Sequence, residues 1–186
     1  MMLSGRLVQL TRVVEMENLR IETARLLMRK FTLDDASDLF KVLSDENVMR
    51  FIEEPFDFAK TIEFIEQAGM SSIPLVYALA EKSSSKVIGH LVFHQLDQEG
   101  VYEIGWIIGK AFWGQGYSTE IGLELIRYGF NKMNLHKIVA ETVDPVKSLG
   151  LMKKLGMHVE GIHRKQAKVG NDWLDVYWCG ILAEDL

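Results

Sequence analysis

The chain has a single cysteine, Cys179, in 186 residues. One thiol cannot close a disulfide within the chain, so no disulfide framework supports the fold and a reducing, cytoplasmic setting is expected. Cys179 sits in the apolar run Val176-Tyr-Trp-Cys-Gly-Ile-Leu182 and reads as a small core residue. Prolines number only three, and no Pro/Gly/Ser-rich stretch marks a linker. No apolar run approaches the ~20 residues of a membrane span, so no membrane partner is expected. Residues 1–18 carry Arg6 and Arg12, and their apolar residues are broken by Gln9, Thr11 and Arg12. They lack a signal-peptide core and are expected to form an extension ahead of one domain over residues 19–186. Positive charge is also scarce: 21 Lys and Arg stand against 26 Asp and Glu, a net charge of −5. With no basic run either, a nucleic-acid partner is not expected.

What is abundant is apolar surface, 48% of residues, enough for one sizeable core. Apolar periodicity and turn signals predict strands over 26–31, 75–80, 87–94, 102–108, 137–143, 159–168 and 174–183. Helices are predicted over 32–43, 58–70, 118–133 and 146–155. Thr32 caps the first, with Asp34 and Asp35 in its opening turn, and Asp144 with Pro145 makes a sound start for the last. Polar turns at 81–86 and 97–100 join three consecutive strands into an antiparallel meander. The later strand–helix–strand unit must then be a crossover between near-parallel strands.

The most informative stretch lies at that crossover. The strand ending at Ile108 runs into Trp113-Gly-Gln-Gly-Tyr-Ser-Thr-Glu120 and then into an amphipathic helix. Two glycines remove Cβ atoms, so backbone N–H groups can crowd around an anion, and the helix adds its unpaired N–H groups and dipole. The pattern reads as a pyrophosphate cradle, although Gly-x-Gly alone also describes an ordinary tight turn. It is not a P-loop, which needs Gly-x-x-x-x-Gly-Lys-Ser/Thr. Nor is it the dinucleotide fingerprint, whose third glycine is replaced by Thr119.

Four segments together resemble the GCN5-related N-acetyltransferases (GNAT), in particular the RimJ/RimL-type branch that acetylates ribosomal-protein N-termini and its small-molecule relatives. These are Ile21-Glu-Thr-Ala-Arg-Leu-Leu-Met-Arg29, Glu103-Ile-Gly-Trp-Ile-Ile108 with Trp113–Glu120, Met152-Lys-Lys-Leu-Gly-Met-His-Val-Glu-Gly161, and Gly170-Asn-Asp-Trp-Leu-Asp-Val-Tyr177. The resemblance implies an α+β GNAT fold: a largely antiparallel, seven-stranded mixed sheet with a central β-α-β crossover, two splayed strands and about four helices. It implies acetyl-CoA as co-substrate. Backbone groups of Trp106, Ile107 and Ile108 would pair with pantetheine, and Gly114, Gln115, Gly116, Tyr117, Ser118 and Thr119 would hold the pyrophosphate. Trp113 would border the channel. The chain departs from the pattern at Ala111, where Gln or Arg is common, and at Pro145, which stands where the branch has an Asn beside the cofactor.

The implied reaction is direct attack of a primary amine on the thioester, which needs a base, an oxyanion donor and an acid for the thiolate. The backbone N–H near Ile107 is the implied oxyanion donor. Ser148 matches the branch's acid, with Tyr117 and Tyr128 as weaker substitutes; its alternative role is a helix-start hydroxyl. Glu103 is the candidate base through a water, its alternative a solvent-facing strand carboxylate. Glu141, His90 and His94 are further candidates. His90 and His94 share strand parity and hence a sheet face, but without a carboxylate or cysteine cluster no metal is expected. The acceptor, a protein N-terminus or a small-molecule amine, would meet the loop bearing Glu53, Glu54 and Asp57. The protein is expected to be a monomer or homodimer. Two other classes stand beside this one. A nicotinamide-dependent oxidoreductase fails on element order, since only one crossover exists. A catalytically weak acyl-CoA-binding module is kept open by Pro145.

Overall fold

Eight strands and five α-helices account for most of residues 19–186, the part of the chain described by the computed structural model. The expected extension over residues 1–18 lies outside the described residues. In chain order the elements are β1 (Ile21–Glu22), β2 (Leu26–Arg29), α1 (Ala36–Leu43), α2 (Glu46–Met49), α3 (Phe58–Phe64), β3 (Val76–Glu81), β4 (Val87–Gln95), β5 (Val101–Ile108), α4 (Tyr117–Asn131), β6 (Lys137–Thr142), α5 (Lys147–Lys154), β7 (His158–Val169) and β8 (Asp172–Leu182). One sheet holds all the strands in the order β1-β2-β3-β4-β5-β6-β8-β7. Every neighbouring pair is antiparallel except β5–β6.

The eighth strand is β1, a two-residue strand paired Ile21↔Met28 and Glu22↔Leu27, too short to leave a periodic signal. The fifth helix is α2, a single turn whose N-cap Asp45 accepts a hydrogen bond from the N–H of Asn47. The first predicted strand stops at Arg29 rather than at residue 31. There the Arg29 guanidinium grips the Asp35 carboxylate through two 2.7 Å bonds. That carboxylate also accepts the N–H of Thr32, which turns the chain into the 3₁₀ turn Leu33–Asp35 ahead of α1. Burial pushes the Asp35 carboxyl upward, but the bonds from Arg29 and Thr32 outweigh it and hold the group below the usual carboxylate range.

Two cores flank the sheet. On one face α4 and α5 pack Ile121, Leu125, Ile126 and Met152 against Tyr77, Leu91, Ile104, Ile138 and Cys179. On the other, α1 and the turn after α3 pack Leu39, Leu43 and Ile65 against Val76, Ala78 and Ala80. The alternation along β3 follows from the two-residue repeat of a strand: odd positions feed one core and even positions the other. Burial on both faces is why β3 reads as a continuous apolar run. Cys179 is fully buried, and burial raises its thiol pKa, as befits a core residue.

Coverage is uneven. The helices of the second core lie over β2–β4, whereas β7 leaves most of its twelve residues exposed. The face of β5 and β6 that carries Glu103 and Glu141 is therefore an open, polar part of the sheet beside an apolar one.

Candidate functional site

The register between β5 and β6 defines the site. They pair in parallel only at Val101↔Lys137, Tyr102↔Ile138 and Glu103↔Val139. Both strands continue past this point: β5 stays paired with β4 as far as Ile108, and β6 with β8 as far as Thr142. The two strands thus separate at their carboxyl ends. Among the described residues, the β6-facing backbone groups of β5 beyond Ile104 have no strand partner there, an uncommon state for the middle of a sheet. An extended amide-bearing ligand can supply the missing partners. Of the predicted pantetheine residues, Trp106 and Ile108 turn backbone groups toward this gap, whereas the backbone of Ile107 is paired with His90 on β4.

Beyond Ile108 the chain reaches the predicted anion loop. Gly114 and Gly116 have φ of +74° and +78°, left-handed values that strain any residue with a Cβ. Nothing lies within 4 Å of where a Gly114 Cβ would stand, so the loop's outer side is open. The first N–H paired into α4 is that of Glu120, which bonds the Gly116 carbonyl at 3.0 Å. The N–H groups of Gly114, Gln115, Gly116, Tyr117, Ser118 and Thr119 precede it, at the positive end of a fifteen-residue helix. Gly114–Gly116 are exposed and Ser118 and Thr119 half-buried, whereas Tyr117 is buried. The Tyr117 ring lies under the Arg25 guanidinium, and its hydroxyl donates to Glu81 at 2.6 Å. Trp113 donates its indole N–H to the Ile108 carbonyl at 2.7 Å, which places the ring at the mouth of the gap.

Glu103 occupies the last paired position before the strands part, and its carboxylate is half-buried. It lies opposite His94 on β4, with Glu103 Oε2 3.3 Å from His94 Nε2. His94 Nδ1 lies 3.1 Å from the Gln95 carbonyl. With an acceptor at each ring nitrogen the imidazolium is favoured, and the His94 pKa is raised, chiefly by Glu103. Glu141 stands on the same face of β6, two residues beyond Glu103's partner Val139. Partial burial and then the Glu103 charge raise its carboxyl pKa.

His90 shares the face of His94, as strand parity predicts, but not its role. It is fully buried against Phe64, its Nδ1 has no hydrogen-bond partner among the described residues, and burial lowers its pKa to about 4. Its imidazole packs beside Ile107, its cross-strand neighbour on β5, and is buried.

The candidate acid lies across the gap. Ser148 is half-buried in the first turn of α5. The cap at this helix start is not its hydroxyl but the Asp144 carboxylate, which accepts the N–H groups of Val146 and Lys147 at 2.9 and 3.0 Å. Pro145 is exposed in the turn between them. Tyr128 lies within α4, on the helix wall rather than at its open end.

A second feature opens at the same end of the sheet. Residues 172–176 of β8 extend past Thr142, the end of β6, and carry the β7–β8 hairpin tip beyond it. Between that tip and the segment following α2 lies a cleft of about 440 Å³, lined by Glu46, Arg50, Glu53, Glu54, Lys168 and Gly170 among others. Lys60 pairs with Glu53, and the Asp57 carboxylate caps α3 through the Lys60 N–H. Asp57 is therefore structural, while Glu53 and Glu54 reach the cleft. Sequence reasoning named the acidic loop but not Arg50 or Lys168, because the hairpin tip meets that loop only through the fold.

A parallel pair that parts at its carboxyl ends, beside a glycine turn opening a helix, defines a class of acyl-transferring enzyme rather than a dinucleotide domain. A family model described as "Acetyltransferase (GNAT) domain" matches residues 25–158. The chain belongs to that family and is an N-acetyltransferase. It is 34% identical over 169 residues to a Bacillus subtilis (strain 168) protein described as the uncharacterized N-acetyltransferase YnaD, covering 90% of this chain and 99% of that one. A GNAT-family acetyltransferase structure from Bacillus anthracis superposes with a TM-score of 0.82 at 32% identity, over 89% of this chain and 99% of the other. The spermidine N-acetyltransferase of Vibrio cholerae, solved with CoA and spermine, shares the fold with a TM-score of 0.75 at 20% identity, over 88% and 98% of the two chains.

Proposed function

We propose that this enzyme transfers the acetyl group of acetyl-CoA to a primary amine, in the manner of the RimJ/RimL-type branch. The observation that carries the reading is the early end of β5–β6 pairing at Glu103↔Val139, directly upstream of the Gly114–Thr119 loop. The residues present fit the co-substrate. Backbone of β5 beyond Glu103 that β6 leaves without a strand partner suits the pantetheine amides, and six N–H groups at a helix start suit a pyrophosphate. CoA is also what the Vibrio cholerae enzyme of the same fold was captured with.

In the proposed reaction the amine nitrogen bonds to the thioester carbonyl carbon and the carbon–sulfur bond breaks. The amine's proton passes to Glu103, directly or through one water, and the departing thiolate takes a proton from Ser148, which regains one from water as Glu103 returns its own to solvent. A backbone N–H near Ile107 stabilises the charge on the carbonyl oxygen. His94 orients the Glu103 carboxylate. The acceptor reaches this point from the open face through the cleft bearing Glu46, Glu53 and Glu54. A protonated amine is drawn to those carboxylates and must lose its proton before attack.

Pro145 supports a second reading, an acyl-CoA-binding module with weak turnover, because proline offers no side-chain amide to the co-substrate. Calorimetry separates the cases. Micromolar acetyl-CoA binding by the wild type, abolished in Gly116→Trp, supports the site, and thiol release with a panel of amines then supports transfer. Binding without release on any amine favours the module. A folded chain that ignores millimolar acetyl-CoA sinks both.

A further inference from the structure

We propose that Arg25 is a positioning residue for the anion loop: it holds the Gln115 carbonyl outward and thereby turns the Gly116 N–H toward the phosphate side. The inference rests on the acetyl-CoA reading above.

Arg25 lies in the tight turn between β1 and β2, ninety residues before the loop in sequence. Its Nη1 donates to the Gln115 carbonyl at 2.9 Å. That carbonyl belongs to the same planar, trans peptide as the Gly116 N–H, so the two groups point in opposite directions. Anchoring the oxygen on the Arg25 side therefore aims the hydrogen at the other side. Glycine makes the anchor necessary. At Gly116 both signs of φ are accessible, so sterics alone do not stop this peptide from turning over and presenting a carbonyl oxygen to an anion. A hydrogen bond from a charged donor does stop it.

The guanidinium is itself fixed from three directions. Arg25 Nε and Nη2 both lie 2.6 Å from Glu120 Oε2, and the Arg25 backbone N–H donates to Glu120 Oε1 at 2.9 Å. Glu120 also accepts the Thr23 hydroxyl. The guanidinium carbon stacks 4.4 Å from the centre of the Tyr117 ring, whose hydroxyl is bonded to Glu81 at the end of β3. Glu120 Oε2 satisfies the nitrogens that do not hold the carbonyl, so a lysine, with one compact ammonium, cannot do both tasks. The Gln115 side chain turns away as well and donates to the Ala111 carbonyl, leaving the peptide as that residue's contribution to the loop.

The test compares CoA with pantetheine, which carries the same thiol arm but no pyrophosphate, by calorimetry on the full chain. The wild type is expected to prefer CoA strongly. Arg25→Ala is expected to weaken CoA by about ten- to a hundredfold and leave pantetheine unchanged, since one charge-assisted bond and the loop's orientation are lost. Glu120→Ala, which frees the guanidinium, is expected to give a smaller loss with the same selectivity, and Glu120→Gln, which keeps an acceptor, to restore most of it. In turnover the KM for acetyl-CoA rises in Arg25→Ala while kcat is retained. Unchanged CoA affinity, or an equal loss for both ligands, would overturn the clamp while leaving the acetyltransferase reading intact. A wild type that binds neither ligand removes both. If Arg25→Ala does not fold, the Glu120→Ala and Glu120→Gln pair decides by the same ratio.

Discussion

The two ends of the proposed reaction are built differently. On the donor side, the loop at Gly114–Thr119 is defined by backbone: left-handed glycines, helix-start N–H groups, and side chains that are paired with one another, as Arg25 is with Glu120 and Tyr117 with Glu81. On the acceptor side, the cleft is walled by exposed side chains from two loops, with Phe51 and Ile52 uncovered beside Arg50, Glu53 and Glu54. A backbone site can hold one invariant ligand across a whole family. A side-chain site on loops can change its partner by substitution without disturbing the sheet. The contrast ties the proposed co-substrate to the backbone of the fold and the proposed acceptor to side chains on the loops.

The contrast can be broken or sharpened by substitution. The largest effect is expected at Glu103, where the two sides meet. Glu103→Gln should lower kcat about 10²- to 10³-fold while the KM for acetyl-CoA stays put. A loss of acetyl-CoA affinity instead would assign Glu103 to the donor side. Next is Gly89, on β4 behind the cofactor strand. A Cβ there would stand 2.0 Å from the Ile107 carbonyl oxygen and 2.9 Å from the Ile108 Cα, both backbone atoms. Gly89→Ala should cost about 3 kcal/mol in denaturant unfolding and displace the donor strand. Wild-type stability in that variant would show that the strands can shift freely, against a rigid donor site.

His90 gives the donor side a pH dependence of its own. Unfolded, it gains a proton as pH falls through 6.5; folded, burial delays this to about 4. Between those values the unfolded state holds the extra proton, so stability falls as pH falls, by up to about 3 kcal/mol at pH 4. His90→Leu should flatten the unfolding free energy across this window relative to wild type. The smallest effect belongs to the acceptor side. Replacing both Glu53 and Glu54 with Gln should raise the KM for a cationic amine about three- to tenfold and leave that for acetyl-CoA unchanged, as expected for exposed charges in water. An equal rise for both substrates would erase the distinction.

Legibility in the sequence follows the same division. Gly114 and Gly116 were readable because glycine adopts those φ values without strain, and a Gly-x-Gly turn followed by helical periodicity has few structural meanings. The crossover was readable because a meander, a helix and another strand admit one handed connection. The pairing of Glu103 with His94 was not readable, since it depends on the cross-strand register of β4 and β5. His90 and His94 look alike in sequence, and only the packing of Phe64 over one of them separates a sealed imidazole from an ion-paired one. Arg25 stood inside the Ile21–Arg29 segment that carried the resemblance, but its role was not readable there, because its partners lie about ninety positions away.

By itself, then, the chain determined most of its secondary structure, its sheet crossover and a glycine turn opening a helix, all consequences of local backbone preference and apolar period. The tertiary structure decided where β5 and β6 part, which carboxylate gains a histidine, which arginine steadies the loop and where the acidic segment meets the β7–β8 tip. Those are contacts between distant segments, and their energies exist only once the two cores have closed on the sheet.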